Sequence, residues 1–203
     1  MIRVFRGISK DPQRTAGEII ANGYMAGSIA IDAPEGVLYP NPSLILLTHG
    51  HCDHIVGLLR NNCPVGASEF TADAIELGRE EATLCNHLNF PPVRRDIAHR
   101  YREGDSIEGD GFSLQVVETP GHSAGSLCFY LPEKKYLFSG DTVFGGGALP
   151  SVSLPTSNPS ALMGSYEKLD ARDIEKFFPG HGEPFSESGY IRRLMHSLRA
   201  IQP

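Results

Sequence analysis

Leu44-Ile45-Leu46-Leu47-Thr48-His49-Gly50-His51-Cys52-Asp53-His54 decides the reading of this chain. An apolar run stops, and four metal-capable side chains follow within six residues. Residues 44–48 predict a short strand that is covered on both faces. In extended backbone alternate side chains share a face, so His49 and His51 point to the same side. Asp53 stands at the entry to a helix expected over Ile55 to Arg60, where an acid accepts backbone N–H groups or binds a cation. Imidazole and carboxylate donors together suit zinc, iron or manganese, and thiolate need not take part.

Three further candidates sit at the same kind of address. His122 follows an expected strand over 112–118 through Pro120-Gly121, and Asp141 follows one over Lys135 to Ser139. His181 follows a third, Ile174 to Phe178, through Pro179-Gly180. Sites in layered α/β proteins gather at the carboxyl ends of strands, where loops aim side chains at a common point. His87, His99 and His196 lie outside this pattern and read as structural, and Cys52 reads as a bystander between ligands.

The 203 residues suffice for one domain spanning 1–203 with a substantial core. A hydrophobic share of 40% with 21% charged residues is ordinary for a soluble globular protein. The formal net charge of −6 opposes affinity for nucleic acid. No apolar stretch reaches the roughly 18–20 residues needed to cross a bilayer, and Met1 to Arg6 lacks a secretory core. The four cysteines (Cys52, Cys63, Cys85, Cys128) show no CxxC spacing. Reduced thiols and a cytoplasmic location are therefore expected. The partner expected is a small-molecule substrate, and the sequence does not set the oligomeric state.

Other elements read as strands at 2–6, 28–32, 63–67 and 126–131, a loop at Ser9 to Pro12, and helices at 161–169 and 188–201. Ser68 is placed to cap a helix running from about Thr71 to Leu88. The connection between Asp32 and Leu44 contains Pro34, Gly36, Pro40 and Pro42, which leaves little room for a helix.

His49-x-His51-x-Asp53-His54, then Gly121-His122, Gly140-Asp141 and Gly180-His181, resembles the metallo-β-lactamase superfamily in order across almost the whole chain. The resemblance implies an α/β fold, a four-layer αββα sandwich of two mixed β-sheets, with a dinuclear centre at one edge. It implies that His49, His51 and His122 bind one metal and that Asp53, His54 and His181 bind the other. Asp141 would bridge them, and Asp32 would orient a ligand histidine. The cofactors implied are two divalent ions, with zinc the first choice and iron or manganese open.

Two such cations share a hydroxide and hold a carbonyl oxygen as it becomes negative. Asp53 and Asp141 would take the catalytic roles of balancing charge and orienting the water. The expected activity is hydrolysis of an ester, thioester or lactone. Ser139 to Phe144 and Phe178 to Gly182 most resemble glyoxalase II, whose members cleave hydroxyacylglutathione thioesters. Ala148-Leu149-Pro150-Ser151 stands where that group carries a Gly-Arg-x-Asp element. Persulfide dioxygenases, which resemble the same group, would use one iron on the equivalents of His49, His122 and Asp141. A third alternative is a metal-stabilised structural domain. Arg79, Arg94 and Arg95 are candidates for holding an anionic substrate, and Tyr166 and Tyr190 for lining or packing.

Overall fold

The buried strands explain themselves by their two-residue period. In β3 (Ile29–Ile31) and β4 (Leu44–Leu46), Ile29, Ile31, Leu44 and Leu46 face one apolar cluster, while Ala30 and Ile45 face another. In β9 (Leu127–Leu131), Leu127, Phe129 and Leu131 face inward, and Cys128 and Tyr130 face outward. A strand with apolar groups on both faces needs a layer on each side. The computed structural model, which describes residues 1–7 and 21–201, supplies those layers. The loop expected at Ser9 to Pro12 lies outside the described residues.

Sheet one holds β1 (Ile2–Arg6), β2 (Asn22–Ala26), β3, β4, β5 (Val65–Ser68) and β6 (His99–Tyr101) in that order. The β1–β2 and β2–β3 pairs are antiparallel and the remaining pairs are parallel. Sheet two runs β11 (Lys176–Pro179), β10 (Tyr136–Gly140), β9, β8 (Ser113–Glu118), β7 (Ser106–Glu108). There β10–β11 is parallel and the other pairs are antiparallel. The sheets pack face to face over Tyr24, Ile31, Leu46, Leu114, Val116, Phe129, Phe138 and Phe178.

Helices cover the outer faces. On sheet one lie α1 (Cys52–Ile55) with its 3-10 continuation Val56–Leu59, α2 (Glu69–Leu77) and α3 (Glu80–Thr83). Their apolar side, including Ile55, Val56, Ala72 and Ile75, packs on Ala30, Ile45 and Ala67. On sheet two, α4 (Pro159–Asp170) and α5 (Tyr190–Ile201) cover Val117, Leu137 and Phe177 with Leu162, Tyr166, Leu169, Leu194 and Leu198. The expected αββα sandwich of two mixed sheets is the architecture found. Among the described residues no helix is long and apolar enough to cross a membrane.

Several expectations need correction. The helix expected from Thr71 to Leu88 stops at Leu77, because Gly78 takes left-handed backbone (φ 65°) and its N–H closes on Ala74 and Ile75. Such a helix end favours glycine because a Cβ is penalised there. Ser68 does cap α2, accepting the Thr71 N–H at 3.2 Å. The helix expected from Ile55 to Arg60 tightens after Ile55 into a 3-10 turn. Strands β2, β6 and β7 add to those expected from the sequence. The reduced thiols expected at all four cysteines are contradicted: Cys52 and Cys85 form a disulfide with Cα atoms 4.9 Å apart. Cys63 and Cys128 are free. Folding brings Cys52 and Cys85 together across a sequence separation of 33.

Phe129 is fully buried between the sheets. Phe129→Ala should destabilise the fold by about 3–5 kcal/mol through lost burial and an unfilled cavity, measured as a lower urea midpoint with an unchanged slope.

Candidate metal centre

Strand ends carry the site. His49, His51, Asp53 and His54 follow β4, His122 follows β8, Asp141 follows β10 and His181 follows β11. The sheets are joined at this edge, where Leu127 donates its N–H to Thr48 O at 2.7 Å and Asn22 donates to Gly180 O at 2.6 Å. The Asn22 amide also donates to Pro179 O (3.1 Å) and Gly182 O (2.6 Å), and Tyr24 Oη donates to Pro179 O (2.6 Å). The turn carrying His181 is thereby fixed against sheet one. A Cβ at Gly180 would overlap Asp141 Oδ1, so only glycine lets this turn approach the carboxylate.

All seven candidates meet. One donor atom each from His49, His51 and His122 lies within 4.8 Å of the others, and the same holds for His49, His54 and Asp141 and for Asp53, His54 and His181. In the first group His49 Nε2 and His122 Nε2 stand 3.1 and 3.0 Å from His51 Nδ1. In the group of Asp53, His54 and His181, His54 Nε2 is 3.3 Å from His181 Nε2, and His181 Nε2 is 3.2 Å from Asp53 Oδ2. Asp141 lies between the groups: Oδ1 is 3.2 Å from His54 Nε2, and Oδ2 is 3.5 Å from both His122 and His181 Nε2.

Hydrogen bonds behind the rings choose which nitrogen faces inward. Asp32 Oδ2 accepts from His54 Nδ1 at 2.8 Å, which directs His54 Nε2 toward the cluster. Thr48 Oγ1 donates to Asp32 (2.8 and 3.0 Å) and so is set to accept from His49 Nδ1 at 3.1 Å. Ser151 O accepts from His122 Nδ1 at 3.0 Å. One carboxylate therefore orients a histidine of each group, one directly and one through Thr48. Asp32 itself is held in left-handed backbone (φ 57°), with the Thr48 N–H on Oδ1 and Tyr39 Oη on its carbonyl, at 2.7 and 2.6 Å.

These residues fit a pair of cations. Asp141 Oδ1 is buried without a hydrogen-bond partner, a costly state for a carboxylate unless a positive charge meets it. Nitrogens about 2.0–2.1 Å from a tetrahedral zinc sit about 3.3 Å apart, close to the spacings in both groups. Burial holds His49 well below the ordinary histidine range and takes His51 down to about 3, so both offer neutral nitrogen. Burial also opposes charge on His54 and His181. There the nearby carboxylates win, lifting His54 well above its usual range and His181 to about 10. Those histidines in turn hold Asp53 and Asp141 low against the effect of burial. The acids make a negative field that suits a divalent cation.

The remaining sequence candidates divide. Arg95 is committed to backbone carbonyls, donating to Leu58 O at 3.0 Å and also to Asn61 and Cys63. Arg79 and Arg94 are exposed. Tyr166 and Tyr190 pack in the outer core. Their hydroxyls donate to the carbonyls of Thr142 (3.1 Å) and Phe144, steadying the chain just after Asp141. His87, His99 and His196 lie exposed, away from the cluster's buried residues. Thr48 and the Ser151 carbonyl escaped the sequence reading. Thr48 directly precedes His49 and was legible in principle, whereas a backbone carbonyl leaves no mark in side-chain identity.

The family model of the metallo-beta-lactamase superfamily matches residues 27–181. The chain belongs to that superfamily. An acyl-coenzyme A thioesterase, MBLAC2 of Gallus gallus, is 34% identical over 83% of this chain and 66% of its own length. A hydroxyacylglutathione hydrolase of Brucella ovis is 31% identical over 76% of this chain and 56% of its own. The chain thus spans less than two thirds of the length of these curated relatives. Among solved structures, the B3 metallo-beta-lactamase BLEG-1 superposes with a TM-score of 0.76 at 23% identity, over 97% of both chains. TTHA1623, solved in a di-iron-bound form, gives 0.69 at 27% identity over 85% of this chain and 92% of its own.

Replacing Asp32 by Asn keeps the backbone preference but removes the charge that fixes Thr48 and His54. Metal affinity of Asp32→Asn should fall about 10–100-fold in chelator competition, while the circular dichroism spectrum stays that of the parent.

Proposed function

We propose that this chain is a metal-dependent hydrolase that cleaves thioesters, with His49, His51 and His122 holding one divalent ion and Asp53, His54 and His181 the other. Asp141 would bridge the two. The observation that carries this reading is the convergence of seven donors in two groups, with one carboxylate between them. The activities of two relatives support the thioester class, because both concern acyl groups on a thiol carrier, coenzyme A in one and glutathione in the other.

When bound, the cations would supply a hydroxide nucleophile at neutral pH and polarise the acyl carbonyl. The protein's own groups do the rest. Asp141 and Asp53 offset the positive charge and fix the direction of the nucleophile's proton. Asp32, Thr48 and the Ser151 carbonyl hold three imidazoles so that no ring turns its N–H inward. Phe144, whose ring lies 6.0 Å from that of His181, gives the rim an apolar surface for an acyl chain.

Zinc is proposed for both positions, and the donor set also accepts iron or manganese; TTHA1623 was solved with two irons. A single domain over residues 1–203, a small-molecule substrate and a cytoplasmic location belong to the same proposal. The persulfide dioxygenase alternative would engage only His49, His122 and Asp141. It leaves Asp53, His54 and His181 gathered without purpose, and the second group therefore favours hydrolysis.

Elemental analysis of protein purified without added metal should give about two ions per chain. Thiol release should be seen from S-lactoylglutathione or an acyl-coenzyme A. Asp141→Ala should abolish turnover with little loss of folded protein. One iron per chain, with oxygen uptake on glutathione persulfide, would replace this reading by the dioxygenase.

A further inference from the structure

We propose that Cys52 and Cys85 form a redox site whose state sets how firmly the metal centre holds its ions. The proposal rests on the assignment of a metal centre but not on the choice of substrate. Cys52 stands between His51 and Asp53 as the first residue of α1, and both sulfur-bearing residues are buried. The disulfide joins the backbone of the ligand segment to the chain just beyond α3.

Beyond the apolar cluster that Ile55 shares with Ala72 and Ile75, two contacts join the cover of α2 and α3 to the ligand segment. One is the disulfide. The other is Gly50, where an added Cβ would lie 3.5 Å from Thr71 Cγ2 and 3.6 Å from the Ala82 carbonyl. Gly50 lies between His49 and His51, so the cover lies directly against the ligand loop. Thr71 Oγ1 and Ser68 Oγ also donate to Gly125 O, at 3.2 and 2.7 Å, which ties the start of α2 to the loop carrying His122. The far end of the cover, around α3, relies on the disulfide for its covalent tie.

That far end has the least regular backbone of the cover. α3 is a single turn, and Leu84 next to Cys85 takes left-handed backbone (φ 55°), as does Asn89 (φ 55°). A bulky L-residue takes this region only when its surroundings impose it. Asn86 and His87 are exposed beside Cys85, so a small opening of this segment brings the disulfide to solvent. Cleavage would free the segment from α1 and leave the ligand loop covered only by non-covalent contacts. His51, Asp53 and His54 would then sample more geometries, and bound ions would escape faster.

The chemistry is thiol–disulfide exchange with a dithiol reductant. A reductant thiolate attacks the Cys85 sulfur, the S–S bond breaks, and Cys52 leaves with the electron pair and takes a proton. The second reductant thiol displaces Cys85 from the mixed disulfide. Two electrons and two protons pass to the protein, and the reductant becomes a disulfide.

The test uses metal-loaded protein, either air-oxidised or treated with dithiothreitol and desalted without oxygen, and follows metal transfer to excess EDTA. Reduced protein should release metal at least tenfold faster, reoxidation should restore slow release, and Cys85→Ser should release fast in both states. Thiol titration of the denatured samples should find Cys63 and Cys128 alone in the oxidised form and all four cysteines in the reduced form. Equal release from both states overturns the proposal. So does an acceleration by reductant that persists in Cys85→Ser, which would place the effect on the metal itself. Four free thiols after every oxidation would also overturn it, and that readout does not require the variant to fold. Protein that binds no metal in either state would remove the metal assignment as well, whereas loss of thioesterase activity alone would leave this proposal standing.

Discussion

The structure turns on a crowd of buried donors that cannot satisfy one another. His49, His51 and His122 bring three ring nitrogens to spacings of 3.0 and 3.1 Å, with the outer nitrogens of His49 and His122 already used behind the rings. Asp141 adds an oxygen with no hydrogen-bond donor. Facing ring nitrogens and a buried carboxylate oxygen without a hydrogen bond are each unfavourable, so the arrangement persists only because the fold imposes it. The two sheets do so by ending several strands at one edge and by fastening the loops there to each other's backbone. A cation turns this cost into binding energy, and that coupling makes the edge a metal centre in design.

Asp32 shows how little of the protein is needed to aim the donors. Its carboxylate touches no candidate ion site directly, yet it sets the tautomer of His54 and, through Thr48, that of His49. Its left-handed backbone depends in turn on Tyr39, which comes from the short connection that follows it. A Cβ at Gly23 would occupy the place of the Tyr39 hydroxyl. The chain from Gly23 through Tyr39 and Asp32 to the histidines is continuous and buried.

Much of this was legible in the sequence because the donors are side chains at distinctive spacings. His49 to His54 advertise themselves, and His122, Asp141 and His181 each follow an apolar run and a glycine. The recurring strand-to-loop units pointed to a layered α/β protein, and the four-layer sandwich came from the resemblance that the donor spacings carry. The misses have physical reasons. β2 begins Asn22-Gly23, which locally signals a turn, but Asn22 is consumed by the carbonyls of Pro179 and Gly182 and Gly23 makes room for Tyr39. Tertiary bonding overrides the local preference there. β6 and β7 are three residues each, too short to show a period. The helix expected from Thr71 runs too long because apolar positions continue past Gly78, whose left-handed backbone ends it. The pairing of Cys52 with Cys85 is a matter of space and not of spacing.

A crystal of the protein grown with its metal, measured across the metal's absorption edge, tests the account most directly. Two anomalous peaks about 3.5–4 Å apart are expected, one within bonding distance of His49, His51 and His122 and the other of Asp53, His54 and His181, with Asp141 reaching both. Peaks that lie elsewhere, or seven side chains that point apart around no ion, would contradict it.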